Sequence, residues 1–234
     1  GAGLTHALSG IAEAFMDNVP MLVLGCGIRR DTGMGYQLHD VDQLALARPV
    51  TKAQFRPETG EEIYPTIRRA CRIAREGAPG PVFVEIPANL YLFRHDFRPP
   101  AEQQHVAAPA PSEEEVSRAV EILANARRPL LYVGLGAAGA GEDLVRLAER
   151  LDAPVATTFQ GKGVFPESHP LFLWPGFGAA APKFVREIAE ECDVTLAIGC
   201  KFGEVATASY GMEPHGTLIH VDIDPAVLGR NYPA

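Results

Sequence analysis

The chain has few of the features that mark the specialised protein classes. Its 234 residues carry a net charge of -8, and the arginines are scattered in pairs, so no basic stripe is available to neutralise phosphates; a nucleic-acid partner is not expected. No apolar run is long enough to cross a bilayer, and no signal-peptide pattern opens the sequence, which leads us to expect a cytoplasmic protein without a membrane partner. The four cysteines, Cys26, Cys71, Cys192 and Cys200, form no Cys-x-x-Cys pair and have no histidine at zinc-finger spacing. They read as reduced, buried, small apolar residues. No metal-ligand spacing and no readable Ser-His-Asp arrangement occur, and no Gly-Asp-Gly is present. The sequence also begins without Met, on a Gly-x-Gly with no strand leading into it. We therefore expect a fragment opening inside a βα unit.

What is present is the material of α/β domains, with a hydrophobic content of 47% that suffices for real cores. After the glycines at 1–3, read as a tight turn, Leu4, Leu8, Ile11, Ala12 and Phe15 recur at helical spacing. Asp-Asn-Val-Pro at 17–20 stops that helix before an apolar strand at 21–25. A glycine-punctuated loop follows at 27–36. Pro49 then breaks any helix, and an extended piece starts at Val50. Residues 61–76 make an amphipathic helix with Ile63, Ile67, Ala70, Cys71 and Ala74 inward and Arg68, Arg69, Arg72 and Arg75 on a solvated face. Gly-Ala-Pro-Gly-Pro at 77–81 ends it, and Val82 to Pro87 reads as a buried parallel strand.

Prolines and lost periodicity at 96–111 mark a linker between a first domain, 1–95, and a second, 112–234. Ser112 followed by Glu113, Glu114 and Glu115 is a capping box opening a helix to about Ala126. Strands are expected at 129–136, 154–158, 194–199 and 217–225, alternating with helices at 142–151 and 183–192. The fold class is thus α/β, two doubly wound parallel-sheet domains, the first incomplete at its N-terminus.

The candidate site residues of the second domain lie after its strands, where open parallel sheets form a ligand crevice: Gly134, Gly136, Gly161, Gly163, Gly199, Lys201, Asp222 and Asp224. Each loop reads equally well as the tight turn such sheets need. Gly134, Gly136 and Gly139 spell Gly-x-Gly-x-x-Gly between strand and helix, but Ala-Thr-Thr at 156–158 replaces the acid that should end the next strand. His95, His105, His169 and His215 read as solvent-facing, and His220 as a strand residue that packs or bonds locally.

Three motifs in order carry a resemblance. Gly-Ala-Gly-Leu-Thr with its small-residue helix, Arg-Pro-Val-Thr-Lys at 48–52, and Gly-Ala-Pro-Gly-Pro-Val-Phe-Val-Glu-Ile-Pro at 77–87 resemble the pyrimidine-binding domain of thiamine diphosphate enzymes of the acetolactate synthase type. Thr-Thr-Phe-Gln-Gly-Lys-Gly at 157–163, Leu-Ala-Ile-Gly-Cys-Lys-Phe-Gly-Glu at 196–204 and Asp-Ile-Asp-Pro at 222–225 resemble the same family's central, Rossmann-like domain of the DHS type.

The resemblance implies a transferase or lyase that uses thiamine diphosphate with magnesium on a 2-oxo acid, as a homo-dimer or tetramer; in the central domain it allows FAD or ADP. It implies cofactor contacts at Gly1, Gly3, Thr5 and His6. It also places Leu38-His39-Asp40 on the family's Phe-Gln-Glu, so that His39 and Asp40, with Gln37 as an alternative source of the amide, become the catalytic candidates. Ala2 stands where the family has Pro, His6 where it has Asn, and Lys-Phe-Gly-Glu at 201–204 where its flavin enzymes have Arg-Phe-Asp-Asp. The activating Glu and the magnesium ligands would lie in segments beyond these residues, leaving the fragment itself inactive. Two other readings remain open: a nicotinamide or flavin oxidoreductase built on the second sheet, and a non-catalytic module of the same fold.

Overall fold

The structure is a computed structural model and describes residues 1–94, 110–176, 178, 181–212 and 214–234. The chain divides into two compact units, Gly1–Ala108 and Pro109–Ala234. All but the last two residues of the linker expected at 96–111 lie outside the described residues.

In the first unit the order is α1 (Ala2–Met16), β1 (Met21–Cys26), α2 (Gln43–Ala47), a 3-10 turn (Arg48–Val50), β2 (Ala53–Phe55), α3 (Gly60–Arg75), β3 (Pro81–Ile86) and α4 (Ala88–Tyr91). The strands form a parallel sheet in the order β1-β3-β2. Its centre is β3, the strand the sequence marks most clearly: covered on both faces, it needs an unbroken apolar run rather than an alternating one. Phe83 packs with Leu4, Ile11 and Ala47 on one face, while Val82 and Val84 pack with Ala70 and Ala74 of α3 on the other.

Two of the sequence motifs meet at the carboxyl end of α3. The Lys52 Nζ donates to Ile73 O at 2.6 Å and to Glu76 O, which satisfies carbonyls that a helix end leaves bare. Burial in this position pushes the Lys52 ammonium down, and Glu76 partly offsets the shift. A Cβ at Gly80 would stand 3.1 Å from the Lys52 aliphatic chain, so the glycine of the second motif makes room for the lysine of the first.

The second unit runs α5 (Glu113–Asn125), β4 (Pro129–Val133), a 3-10 turn (Leu135–Ala140), α6 (Gly141–Leu151), β5 (Val155–Thr157), β6 (Phe172–Pro175), α7 (Lys183–Glu190), β7 (Val194–Ile198) and β8 (Thr217–Val221). Its five parallel strands are ordered β6-β5-β4-β7-β8, the doubly wound arrangement with its reversal between β4 and β7. Alternate residues of β4 supply two cores. Leu130 and Tyr132 join Ala156, Ala197 and Met212, whereas Leu131 and Val133 join Leu144, Ala148 and Phe165. Strand β6 is not expected from the sequence, where prolines at 170 and 175 hide a four-residue edge strand.

The helix ends follow the sequence. Ser112 accepts from Glu115 N at 3.1 Å and its hydroxyl donates to the Glu115 carboxylate at 2.9 Å. At the amino ends of the strands, Asp193 accepts from Arg127 N at 2.8 Å and Arg128 N at 3.0 Å, and its carbonyl accepts from Thr217 N at 2.9 Å. One residue thus ties together the starts of β4, β7 and β8.

Candidate functional site

The first candidate site lies at the carboxyl ends of β1, β3 and β2. Strand periodicity puts every second residue on one face, and here that face carries Phe83 and Glu85 on β3, Gly25 on β1 with Gly27 just beyond it, and Arg56 just past β2. A Cβ at Gly25 would stand 2.6 Å from the Phe83 ring, and one at Gly27 would stand 2.5 Å from Glu85 Oε1. The two glycines are therefore a cleared lane beside these side chains.

Glu85 is buried, 1% exposed, and a lone buried carboxylate is costly. Arg56 Nη2 donates to its Oε2 at 2.9 Å, and Arg30 Nη2 stands 3.6 Å from its Oε1. This ion cluster is the chief feature that sequence reasoning missed. The signal was available: a Glu inside the apolar run Val-Phe-Val-Glu-Ile, two residues from Phe83, needs a cation on the same face.

The site loop between β1 and α2 is braced from within. Gln37 Nε2 donates to Arg29 O at 2.8 Å and lies within reach of Met34 O at 3.2 Å and Thr32 Oγ1 at 3.3 Å. Its amide nitrogen is thus engaged by the loop itself. His39 adopts a left-handed backbone (φ 64°) and, like Asp40, is exposed.

Gly1 is packed directly against His39, whose Cβ occupies the space that a side chain at Gly1 would need. The Gly1 nitrogen donates to Oε1 of buried Gln43, and Gln43 Nε2 donates to Cys26 O at 3.0 Å. Gln43, unremarked in the sequence, joins the start of α1, the end of β1 and α2 at one point. The structure thereby brings Gly1 and His39 of the same chain together.

The glycine turn expected at 1–3 is corrected: Gly1 caps a helix that already includes Ala2 and Gly3. Small residues tolerate the first helical turn, so the tight turn is not needed. Gly3 faces open space, Thr5 Oγ1 donates to Ala2 O at 2.8 Å inside the helix, and His6 is exposed.

The second candidate site is the reversal point between β4 and β7. Gly136 N donates to Gly199 O at 3.0 Å, and Gly134 N to Ile198 O at 2.9 Å. A Cβ at Gly134 would collide with Gly199 O. One at Gly199 would stand 2.6 Å from Ala137 N, and one at Gly161 would stand 2.6 Å from Val133 O. These glycines are accounted for by loop packed on loop, and the Gly-x-Gly-x-x-Gly stretch is a 3-10 turn rather than a direct entry into α6. They are not an open cradle that would fit a nucleotide's phosphates. Gly163 (φ 86°) alone of the five candidate loop glycines has no neighbour in the direction of a side chain.

Asp222 Oδ1 accepts from Asp224 N at 3.0 Å, and Asp224 Oδ1 from Ala226 N at 3.0 Å, so Asp-Ile-Asp-Pro is a pair of successive Asx turns. Lys201 is exposed after β7, the strand that pairs with β8. His220 bridges Cys200 O at 2.9 Å and Gly229 N at 3.4 Å, the local bonding expected of it.

The cysteines divide. Cys192 and Cys200 are buried, with burial pushing their thiols up to about 11 and about 12, while Cys26 is exposed and Cys71 half-buried, against the expectation of four buried thiols. Among the described residues no group of three His, Cys, Asp or Glu converges as metal ligands would. No helix among them is long and apolar enough to cross a membrane.

The doubly wound second unit, with its glycine and Asp-Ile-Asp-Pro loops at the strand ends, defines a Rossmann-like domain, and sequence comparison says which kind. Residues 116–234 match the family described as thiamine pyrophosphate enzyme, central domain, and the chain belongs to that family. Within it, the chain is similar along both units to acetolactate synthase large subunits. It is 35% identical to a probable acetolactate synthase large subunit of Methanocaldococcus jannaschii over 99% of this chain and 40% of that one. It is 31% identical to the acetolactate synthase large subunit of Haemophilus influenzae over 100% and 42%, and 29% identical to acetolactate synthase 1, chloroplastic, of Zea mays over 99% and 37%. The chain spans about two fifths of the length of these relatives.

Proposed function

We propose that this chain forms part of a thiamine diphosphate-dependent enzyme that decarboxylates a 2-oxo acid and joins the remaining fragment to an acceptor, in the manner of acetolactate synthases. The observation that carries the reading is similarity to acetolactate synthase large subunits along 99% of the chain, through both units rather than the central domain alone. Thiamine diphosphate, when bound, supplies the nucleophilic carbon and the electron sink for such chemistry. The chain's own contribution is at the first sheet. The first turn of α1 and the His39 loop are held in contact there, and His39 puts an acid–base side chain where the family has an uncharged amide.

Met34, Tyr36 and Leu38 are 72%, 106% and 83% exposed, a concentration of apolar side chains on one loop that supports its being covered in a homo-oligomer. Magnesium and its ligands belong to a part of the enzyme other than these residues, and the chain alone is inactive.

The test is turnover by the longer protein that contains this chain. With thiamine diphosphate and magnesium it should release CO2 from pyruvate or another 2-oxo acid and yield a carboligation product. His39→Gln should shift the pH–rate profile. A folded protein that binds the cofactor yet turns over no 2-oxo acid would overturn the reading.

A further inference from the structure

We propose that Arg30 is a receptor for the carboxylate of a small monoanionic ligand, held ready by the buried pair of Glu85 and Arg56. Two guanidinium groups face one carboxylate here. Arg56 takes Glu85 Oε2 in a hydrogen bond of 2.9 Å, whereas Arg30 stands 3.6 Å from Oε1, close enough for attraction but beyond a hydrogen bond. The neighbouring acid does not restore the balance, because Asp31 is gripped by Arg29 through both oxygens, at 2.9 and 2.8 Å. The cluster therefore keeps one positive charge that nothing in the first unit's described residues neutralises.

The position of that charge gives it a use. Arg30 follows β1 at the carboxyl end of a parallel sheet, where ligands of such sheets bind, and its side chain is 42% exposed. Among the described residues its guanidinium makes no hydrogen bond, while its backbone is fixed by Arg30 N donating to Asn89 Oδ1 at 3.1 Å. A planar fork of unused donors on an anchored backbone pairs with a carboxylate through two parallel bonds.

Glu85 sets the selectivity. One surplus positive charge matches a monoanion, whereas the second charge of a phosphate dianion would meet the Glu85 carboxylate behind Arg30. The inference rests on the proposed reaction only for the choice of pyruvate as probe; the receptor itself follows from the charge count and the geometry.

The experiment follows the arginine Nε resonances of the isotopically labelled 234-residue chain by NMR during titration with pyruvate and, separately, with inorganic phosphate at fixed ionic strength. Pyruvate should move the Arg30 resonance saturably, and phosphate should bind more weakly. Arg30→Gln, at a part-exposed position that the fold tolerates, should weaken pyruvate binding at least about tenfold, with Arg30→Lys between the two. An Arg30 signal that does not respond, equal binding of phosphate, or full affinity in Arg30→Gln would overturn the proposal. No cofactor is present in this titration, so its outcome is separate from that of the turnover assay. Binding without turnover in the longer protein removes the reaction and keeps the receptor, and turnover without binding does the reverse.

Discussion

Replacing Glu85 by Gln tests the first sheet most directly, since it removes one charge and almost no volume. In the native unit the carboxylate is 1% exposed and the Arg56 side chain 24%. Removing one partner of a buried pair costs about 3–5 kcal/mol, because the remaining ion is left desolvated and unpaired. The partial exposure of Arg56 and the 3.6 Å gap to Arg30 place this case at the low end, about 3 kcal/mol. For a unit of this size, a loss of that order lowers the melting temperature by about 12–24 °C.

Fluorescence will not report it, because the single Trp, Trp174, lies in the second unit. Hydrogen exchange of the backbone amides at 82–86 in β3, followed in denaturant by mass spectrometry, reads the right sheet. Adding Arg56→Gln to Glu85→Gln should then cost little more, giving a coupling energy of at least about 1 kcal/mol in the double-mutant cycle. Should Glu85→Gln leave exchange within about 0.5 kcal/mol of the parent, the cluster does not hold the sheet and the reasoning fails.

Gly199→Ala places a side chain 2.6 Å from Ala137 N on a backbone with φ 61°, so left-handed strain and overpacking add; a loss of about 2–5 kcal/mol is expected in urea unfolding followed through Trp174. Gly163→Ala, at φ 86° with open space ahead, is the control and should lose only the backbone part, about 1–2 kcal/mol; equal losses at both sites would refute the packing account. Asp193 answers to pH. Its bonds from Arg127 N and Arg128 N hold its carboxyl below the ordinary aspartate range, so its stabilisation is complete above about pH 4 and disappears as pH falls through the lower folded value. Asp193→Asn should flatten the acid limb of the Trp174 melting curve, and an acid limb identical to the parent's would exclude this role.

Much of the architecture was legible because periodicity and punctuation agree with the fold. Val82 to Ile86 between two prolines is the central strand, Ser112 before three glutamates caps α5, and Pro-Leu-Leu-Tyr-Val is the central strand of the second sheet. Strand β6 was not legible, since its pairing depends on partners distant in sequence while its own residues read as a proline-flanked loop. The opening glycines misled for a similar reason: Gly-x-Gly permits a turn but does not require one, and the rest of α1 carries them into helix.

In the ion cluster, the Glu inside the apolar run Val-Phe-Val-Glu-Ile signals that a cation is needed, but not which one. Glu85, Arg30 and Arg56 lie up to 55 residues apart in sequence and become neighbours through the register that sets Phe55 beside Val84 and Gly25 beside Glu85. No local pattern in any one segment records that meeting.

The packing of Gly134 and Gly136 on Gly199 has a consequence for protein engineering. Two loops that share a wall without a side chain on either side cannot be exchanged one at a time, because the donor loop's first Cβ at this wall would enter its neighbour's backbone. A chimera with one of the relatives should therefore take the segments after β4 and after β7 from the same parent. Library designs that randomise this rim should keep the three glycines fixed and place their diversity at Leu135, Phe159 and Val205, whose side chains are 46%, 55% and 73% exposed.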